Sequence, residues 1–392
     1  MYIHEQKWGY MDIQNRKIIA VVILVLVTIT LASIYFTYFQ QRESASHKTL
    51  TTSTPISTMP SSSVILQGAG ATFIYPQLNE WIQLFYMKKG IRVSYQSVGS
   101  GAGLSMFFQG IVDFACSDPP LSRDMWEKYK GEIIQVPWLI GAVVIIYNIP
   151  ELPGSVSLKL DEVALAKIYK GEIVYWDDLY IKSLNPEIAD KLPHKEIIAV
   201  YRSDSSGTTE IFTTYLNKAA SNIWPSELVG KTVNWPVAGV GRGVGGKGNE
   251  GVTQIVMQTP YSIGYVEWAY AIANNLPIAS LKNAAGFFVK PSEESLISAM
   301  NNVNIPSTAL DDFSHIVREA VYAPGEESYP LLALTHLVIW RKYDDPLKAY
   351  ALKEFLKWIL EDGYNHIIPG YVAPPPSIRE LLKNAINLIE AK

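Results

Sequence analysis

Three short segments of the chain carry the same chemistry. Gly68-Ala69-Gly70-Ala71-Thr72-Phe73, Gly99-Ser100-Gly101-Ala102-Gly103 and Ser203-Asp204-Ser205-Ser206-Gly207-Thr208-Thr209 are built largely from Gly, Ser and Thr. Each follows a strand signal and opens a helix signal. A helix start has unpaired N–H groups and a partial positive charge. Glycine lets the backbone approach a ligand, and hydroxyls add donors. Three such starts converging would bind an anion. Arg202 ends the strand signal before the third segment, and its planar fork of donors suits an oxyanion. Asp204, two positions on, is placed to hold the guanidinium. The plainer reading of one segment alone is N-capping, and of Arg202 with Asp204 a surface ion pair. Three segments beside one arginine shift the balance toward anion capture.

The elements that must position these segments alternate between strand and helix periods, which predicts an α/β fold. Val64-Ile65-Leu66 is a short apolar run, and Leu78, Trp81, Ile82 and Phe85 follow at helical spacing. Ile91, Val93, Tyr95 and Ser97 alternate with polar residues, as a strand does. Leu104, Phe107 and Phe108 mark a short helix. Ala142–Tyr147, Ile197–Tyr201 and Leu331–Trp340 read as strands. Ile211–Ala219 and Leu347–Leu360 read as helices.

Composition narrows the function classes. The chain has 392 residues, 33 Lys+Arg against 37 Asp+Glu, and a formal net charge of −4. That balance argues against a nucleic-acid binder. With 48% hydrophobic residues and 10 Trp it can fill a core, and its length suits two lobes. The single cysteine, Cys116, rules out an internal disulfide framework and a thiolate-rich metal site. It reads as a small buried hydrophobe, with a reactive thiol as the alternative.

Ile18–Phe39 is a run of 22 residues without a charge. As a helix it would span about 33 Å, close to the bilayer core of about 30 Å. Arg16 and Lys17 precede it, which favours a cytoplasmic residue 1–17 segment. An uncleaved transmembrane anchor is expected over a cleaved signal sequence, whose apolar region is shorter. Residues 40–63 hold 12 Ser/Thr and read as an unordered linker.

Two tempting motifs fail. Gly241-Arg242-Gly243-Val244-Gly245-Gly246-Lys247-Gly248 nearly matches a P-loop, but Gly248 stands where Ser or Thr must ligate magnesium. Pro236 and Gly239 interrupt the approach, so a glycine-rich loop with no strand feeding it is expected. A serine hydrolase is not supported either, since G-x-S-x-G is absent around Ser206.

The segments, in their order, resemble the periplasmic phosphate-binding proteins of ABC phosphate importers. The matching stretches are GAGATF (68–73), YQSVGSGAG (95–103), DFACSDPPLS (113–122), YRSDSSGTTEIFTTYL (201–216), GGKGNEG (245–251) and SIGYVEWAYA (262–271). The resemblance covers nearly all of 64–392. It implies a two-lobed type II periplasmic-binding-protein fold with the ligand in the interlobe cleft. Residues 64–138 and 330–392 would form one lobe and 139–329 the other, with crossings near Leu139–Ala142 and Pro330–Leu332. It implies phosphate contacts from Thr72, Phe73, Ser100, Asp118, Arg202, Ser206, Gly207 and Thr208, with Asp204 orienting Arg202. It implies permease subunits of an ABC importer as partners, no cofactor and no catalysis. Ile74, Cys116 and Ser205 depart from the family's usual Pro, small residue and Gly, and none removes a contacting side chain.

Asp118 fits that assignment physically. Phosphate at neutral pH keeps a proton that a carboxylate accepts, whereas sulfate has none. An unpaired like-charged contact would discriminate against sulfate by roughly 10³-fold or more. As a sequence feature alone, Asp118 also suits a turn before Pro119-Pro120. Two alternatives stand beside this reading. One is a phosphohydrolase or phosphoryl-transfer enzyme using Ser206 or Thr208 with Asp118. The other is a receptor for another oxyanion such as sulfate or molybdate.

Overall fold

The computed structural model describes residues 64–152 and 156–392. The expected anchor at 18–39 and linker at 40–63 lie outside the described residues. Among the described residues no helix is long and apolar enough to cross a membrane.

The architecture is α/β and two-lobed, organised by one eight-stranded sheet. Its strands are β1 (Ile65–Gly70), β2 (Arg92–Ser97), β3 (Phe114–Ser117), β4 (Ile133–Asn148), β5 (Ile198–Arg202), β6 (Gly243–Gly246), β7 (Ser262–Glu267) and β8 (Leu332–Trp340). They lie in the order β2-β1-β3-β8-β4-β7-β5-β6. In the first half, β1 pairs in parallel with β2 and β3, and β8 runs antiparallel to β3 and β4. In the second half, β7 runs parallel to β5, and β5 parallel to β6.

One long strand joins the halves. β4 pairs with β8 from Ile133 to Ala142 and then with β7 from Val143 to Asn148. Both its faces are covered, which explains an almost continuous apolar sequence rather than an alternating one. The apolar run alone predicts only Ala142–Tyr147, because Pro137 and Gly141 read as punctuation. Pro137 is accommodated where the register with β8 shifts between Thr335 and His336, a bulge where proline's missing N–H does no harm. Trp138, next to it, is buried with its ring 5.7 Å from that of Trp81.

Helices close the layers. α1 (Tyr75–Lys89) has Pro76 in its first turn, carries Lys88 and Lys89 in its last turn and ends at Gly90 in the left-handed conformation, the expected N-to-C asymmetry. α2 (Ser100–Phe108) follows β2, and α3 (Gly207–Ala219) follows β5. α2 lies hard against β1: a Cβ on Gly103 would fall 2.1 Å from the Cα of Gly70.

The glycine-rich segment differs from its expectation as a loop. Gly243–Gly246 is strand β6, in register with Ala199–Arg202, and it feeds helix α4 (Gly248–Gln258). Pairing with β5 supplies the order that glycine's weak strand preference withholds. At Gly243 the absent side chain leaves room for the Tyr201 ring. Cys116 is buried on β3 as a free cysteine.

Candidate functional site

The loops after β1, β2, β3, β5 and β6 leave the carboxyl ends of their strands, where open α/β sheets place their ligands. They bring Thr72, Ser100, Asp118, Arg202, Ser206, Gly207, Thr208 and Asn249 into one buried cluster.

Arg202 is its fixed cation. Its Nε donates to Asp204 Oδ1 at 2.8 Å and its Nη2 to Asp204 Oδ2 at 2.6 Å. That bidentate pair engages one edge of the guanidinium and turns the other inward. The inward Nη1 meets Thr208 Oγ1 at 3.4 Å. Burial opposes the charge on Arg202, but the Asp204 carboxylate more than offsets it and raises the pKa. Burial also opposes ionisation of Asp204, yet the guanidinium holds its carboxyl below the usual range. The pair is therefore charged on both sides. With the Arg202 side chain only 1% exposed, it is not the surface ion pair of the plainer reading.

Asp118 faces the same space and is 2% exposed. Thr335 Oγ1 donates to its Oδ1 at 3.1 Å, while Ser100 and Thr208 hydroxyls sit 3.4 Å from its Oδ2. Burial pushes its pKa up to about 7, against the pull of Arg202 and of the Thr335 and Ser100 hydrogen bonds. The contacts at 3.4 Å are near the long limit of a hydrogen bond, unlike the tight pair at Arg202.

The start of α3 adds donors. Ser206 caps the helix, its Oγ accepting from the Thr209 N–H at 3.1 Å. That leaves the N–H groups of Gly207 and Thr208 with no acceptor among the described residues, as helix starts do. Gly207 is there for closeness. A Cβ on it would fall 2.5 Å from Ser100 Oγ and Pro119 Cδ and 2.8 Å from Asp118 Oδ2. Phe73 is buried, its carbonyl accepting from the Tyr371 hydroxyl, and its N–H likewise finds no acceptor among the described residues.

The halves of the molecule meet here. Gly101 N–H donates to the Ser205 carbonyl at 3.1 Å, and the Tyr270 hydroxyl to the Thr72 carbonyl at 2.7 Å. The cleft is thus closed over the cluster. Chemically it is a buried shell of N–H and O–H donors around the Arg202 cation, with the Asp118 carboxylate among them.

Comparison with known proteins gives the family of the chain. A family model described as a PBP superfamily domain matches residues 45–362. This chain belongs to the PBP superfamily. Among members of this superfamily, it is 44% identical over 342 residues to the Phosphate-binding protein PstS of Methanocaldococcus jannaschii, spanning 84% of this chain and 87% of that one. It is 38% identical to the PstS of Haemophilus influenzae, over 81% of this chain and 91% of that one. Two solved structures share the fold. One is a high-affinity periplasmic phosphate-binding protein bound with phosphate, with TM-score 0.64 at 23% identity over 82% of this chain and 93% of that chain. The other is an ancestral soluble variant of the human phosphate-binding protein, with TM-score 0.67 at 21% identity over 84% and 99%.

Every site residue expected from the PBP resemblance lies in or against this cluster. Sequence reading missed Thr335, Asn249, Tyr270 and Tyr371, which hold the cluster from behind. The stretches GGKGNEG and SIGYVEWAYA contain Asn249 and Tyr270, but nothing in their composition says what they touch.

Proposed function

We propose that this chain is an extracytoplasmic receptor that captures inorganic phosphate and delivers it to the permease subunits of an ABC phosphate importer. One observation carries the reading: a buried carboxylate, Asp118, stands among donors that otherwise suit any oxyanion. Phosphate offers it a proton to share, and sulfate does not. The ligand contacts are the Thr72, Ser100, Ser206 and Thr208 hydroxyls, the N–H groups of Phe73, Gly207 and Thr208, the Arg202 fork and Asp118. Asp204 orients Arg202. The names of the relatives at 38–44% identity, all PstS phosphate-binding proteins, support the same substrate.

Residues 64–138 with 330–392 form one lobe and 139–329 the other. The change of partner along β4 at Ala142/Val143 supports those limits. Phosphate binding closes the lobes by a hinge there. The uncharged run at 18–39 anchors the chain in the membrane with the globular part outside, and 40–63 is its stalk. Alkaline carbonate extraction of membranes should leave the full-length chain in the pellet. Its release to the supernatant would defeat the anchor.

The enzyme reading finds no histidine base at Ser206 or Thr208 among the described residues. His336 donates Nδ1–H to the Asp118 carbonyl at 2.9 Å, and burial lowers its pKa to about 4. It is placed behind Asp118 and pairs with neither Ser206 nor Thr208. Calorimetric titration of the full-length chain with phosphate and with sulfate tests the proposal. Tight phosphate binding and weak sulfate binding at pH 8 are expected. Tight sulfate binding with no phosphate response would overturn it.

A further inference from the structure

Asn249 lies in the cluster but is not among the proposed ligand contacts. It sits in the second position of α4 and is fully buried. Its backbone N–H donates to Thr72 Oγ1 at 3.2 Å, and its side-chain Nδ2 donates to the same oxygen at 2.8 Å. Its Oδ1 accepts from the Glu267 N–H at 3.0 Å, which fixes the amide so that the NH₂ faces Thr72. A hydroxyl has two lone pairs and one hydrogen. Both lone pairs of Thr72 Oγ1 are therefore occupied, and its hydrogen finds no acceptor among the described residues.

A second observation points the same way. α4 has no N-cap side chain of its own, since Lys247 stands at that position without a capping bond. Its first two N–H groups go instead to residues of the site: Gly248 to Asp204 Oδ1 at 3.0 Å and Asn249 to Thr72. Thr72 follows β1 in the first half of the sheet, and α4 follows β6 in the second. The bond to Thr72 therefore crosses the cleft and exists only when the cleft is closed.

We infer that Asn249 is a positioning residue that saturates the acceptor side of Thr72 across the closed cleft, so that the Thr72 hydroxyl is left only to donate to the bound anion. This rests on the phosphate reading above. Without the Asn249 side chain, only the backbone N–H of residue 249 still donates to Thr72 Oγ1, so one lone pair is freed to accept and one link between the lobes is lost.

The test is a double-mutant cycle on phosphate affinity, measured by calorimetry on the full-length chain. Thr72→Val and Asn249→Ala should each weaken binding about 10- to 100-fold. The double variant should bind within about threefold of Thr72→Val alone, because the two residues act through one hydroxyl. Losses that multiply would overturn the inference, as would wild-type affinity in Asn249→Ala. Asn249→Asp keeps the size and the acceptor for Glu267 but offers a carboxylate to Thr72. It would draw the hydroxyl hydrogen away from the anion, so it should bind phosphate more weakly than Asn249→Ala. Wild-type or tighter binding by Asn249→Asp would overturn the inference even if the alanine variant does not fold. A wild-type chain that binds no phosphate would remove the phosphate reading itself. A wild-type chain that binds, with independent losses in the cycle, would remove only the role of Asn249.

Discussion

Two charged residues set the chemistry, and they are prepared in opposite ways. Arg202 is held ionised by Asp204, so Arg202→Ala should weaken phosphate binding by about 10²–10³-fold while the protein stays folded. Equilibrium dialysis showing unchanged affinity would place the site elsewhere. Asp118 is instead poised to change state, because burial lifts its pKa to about 7. Above that value it is a bare acceptor that repels sulfate. Below it, the carboxyl carries a proton and can donate. Any sulfate affinity should therefore fall by up to about tenfold per pH unit above pH 7, because binding it would require Asp118 to take up a proton. Asp118→Asn should bind sulfate with no such slope, and a persisting slope in that variant would point to another group. The same shift acts on ligand-free stability. A raised carboxyl pKa means the folded state holds the proton that the unfolded chain has lost. Its contribution is full below about pH 4 and is lost as pH rises through 7. Asp118→Asn should therefore gain thermal stability over wild type at pH 8 and little at pH 4.

Elements do two distinct jobs with the same residue type. Gly103 lies where α2 packs on β1 within the first half of the sheet. Gly103→Ala should cost about 1–3 kcal/mol of stability, read from urea unfolding without phosphate. Gly207 begins α3 and meets Ser100, Pro119 and Asp118 across the cleft. Its added methyl would obstruct closure rather than a core. Gly207→Ala should keep the ligand-free melting temperature and lose at least about 10²-fold in phosphate affinity. A large drop in melting temperature with normal affinity would reverse these assignments. The strand–helix order around these glycines was largely legible, because apolar periodicity sets it locally. β6 was not. Glycine carries no periodic signal, and its strand exists only because β5 pairs with it.

On the scale of the molecule, β4 is one of two places where the chain passes between the halves. β4 pairs with both, so the proposed hinge rotation about Ala142–Val143 would move whole half-sheets while their internal pairing is kept. Small-angle scattering should show a smaller radius of gyration with phosphate than without. Gly207→Ala should not contract. Phosphate should also raise the melting temperature in proportion to the logarithm of its concentration over Kd, and sulfate at pH 8 should not. The net charge of −4 does not oppose anion capture, since the site relies on one cation and many neutral donors rather than on a positive field.

The sequence by itself determined the donors and their local frames. Gly, Ser and Thr at helix starts, Arg202 two residues before Asp204, and Asp118 before two prolines are local facts, and local periodicity folds them locally. It also determined the uncharged run that sets 18–39 apart from the rest. Only the tertiary structure decided which groups complete one another. Asn249 lies 177 residues from Thr72 along the chain and Thr335 lies 217 from Asp118. Hydrogen bonds across such separations follow from how the two halves of a sheet close, and no spacing along the chain encodes that closure.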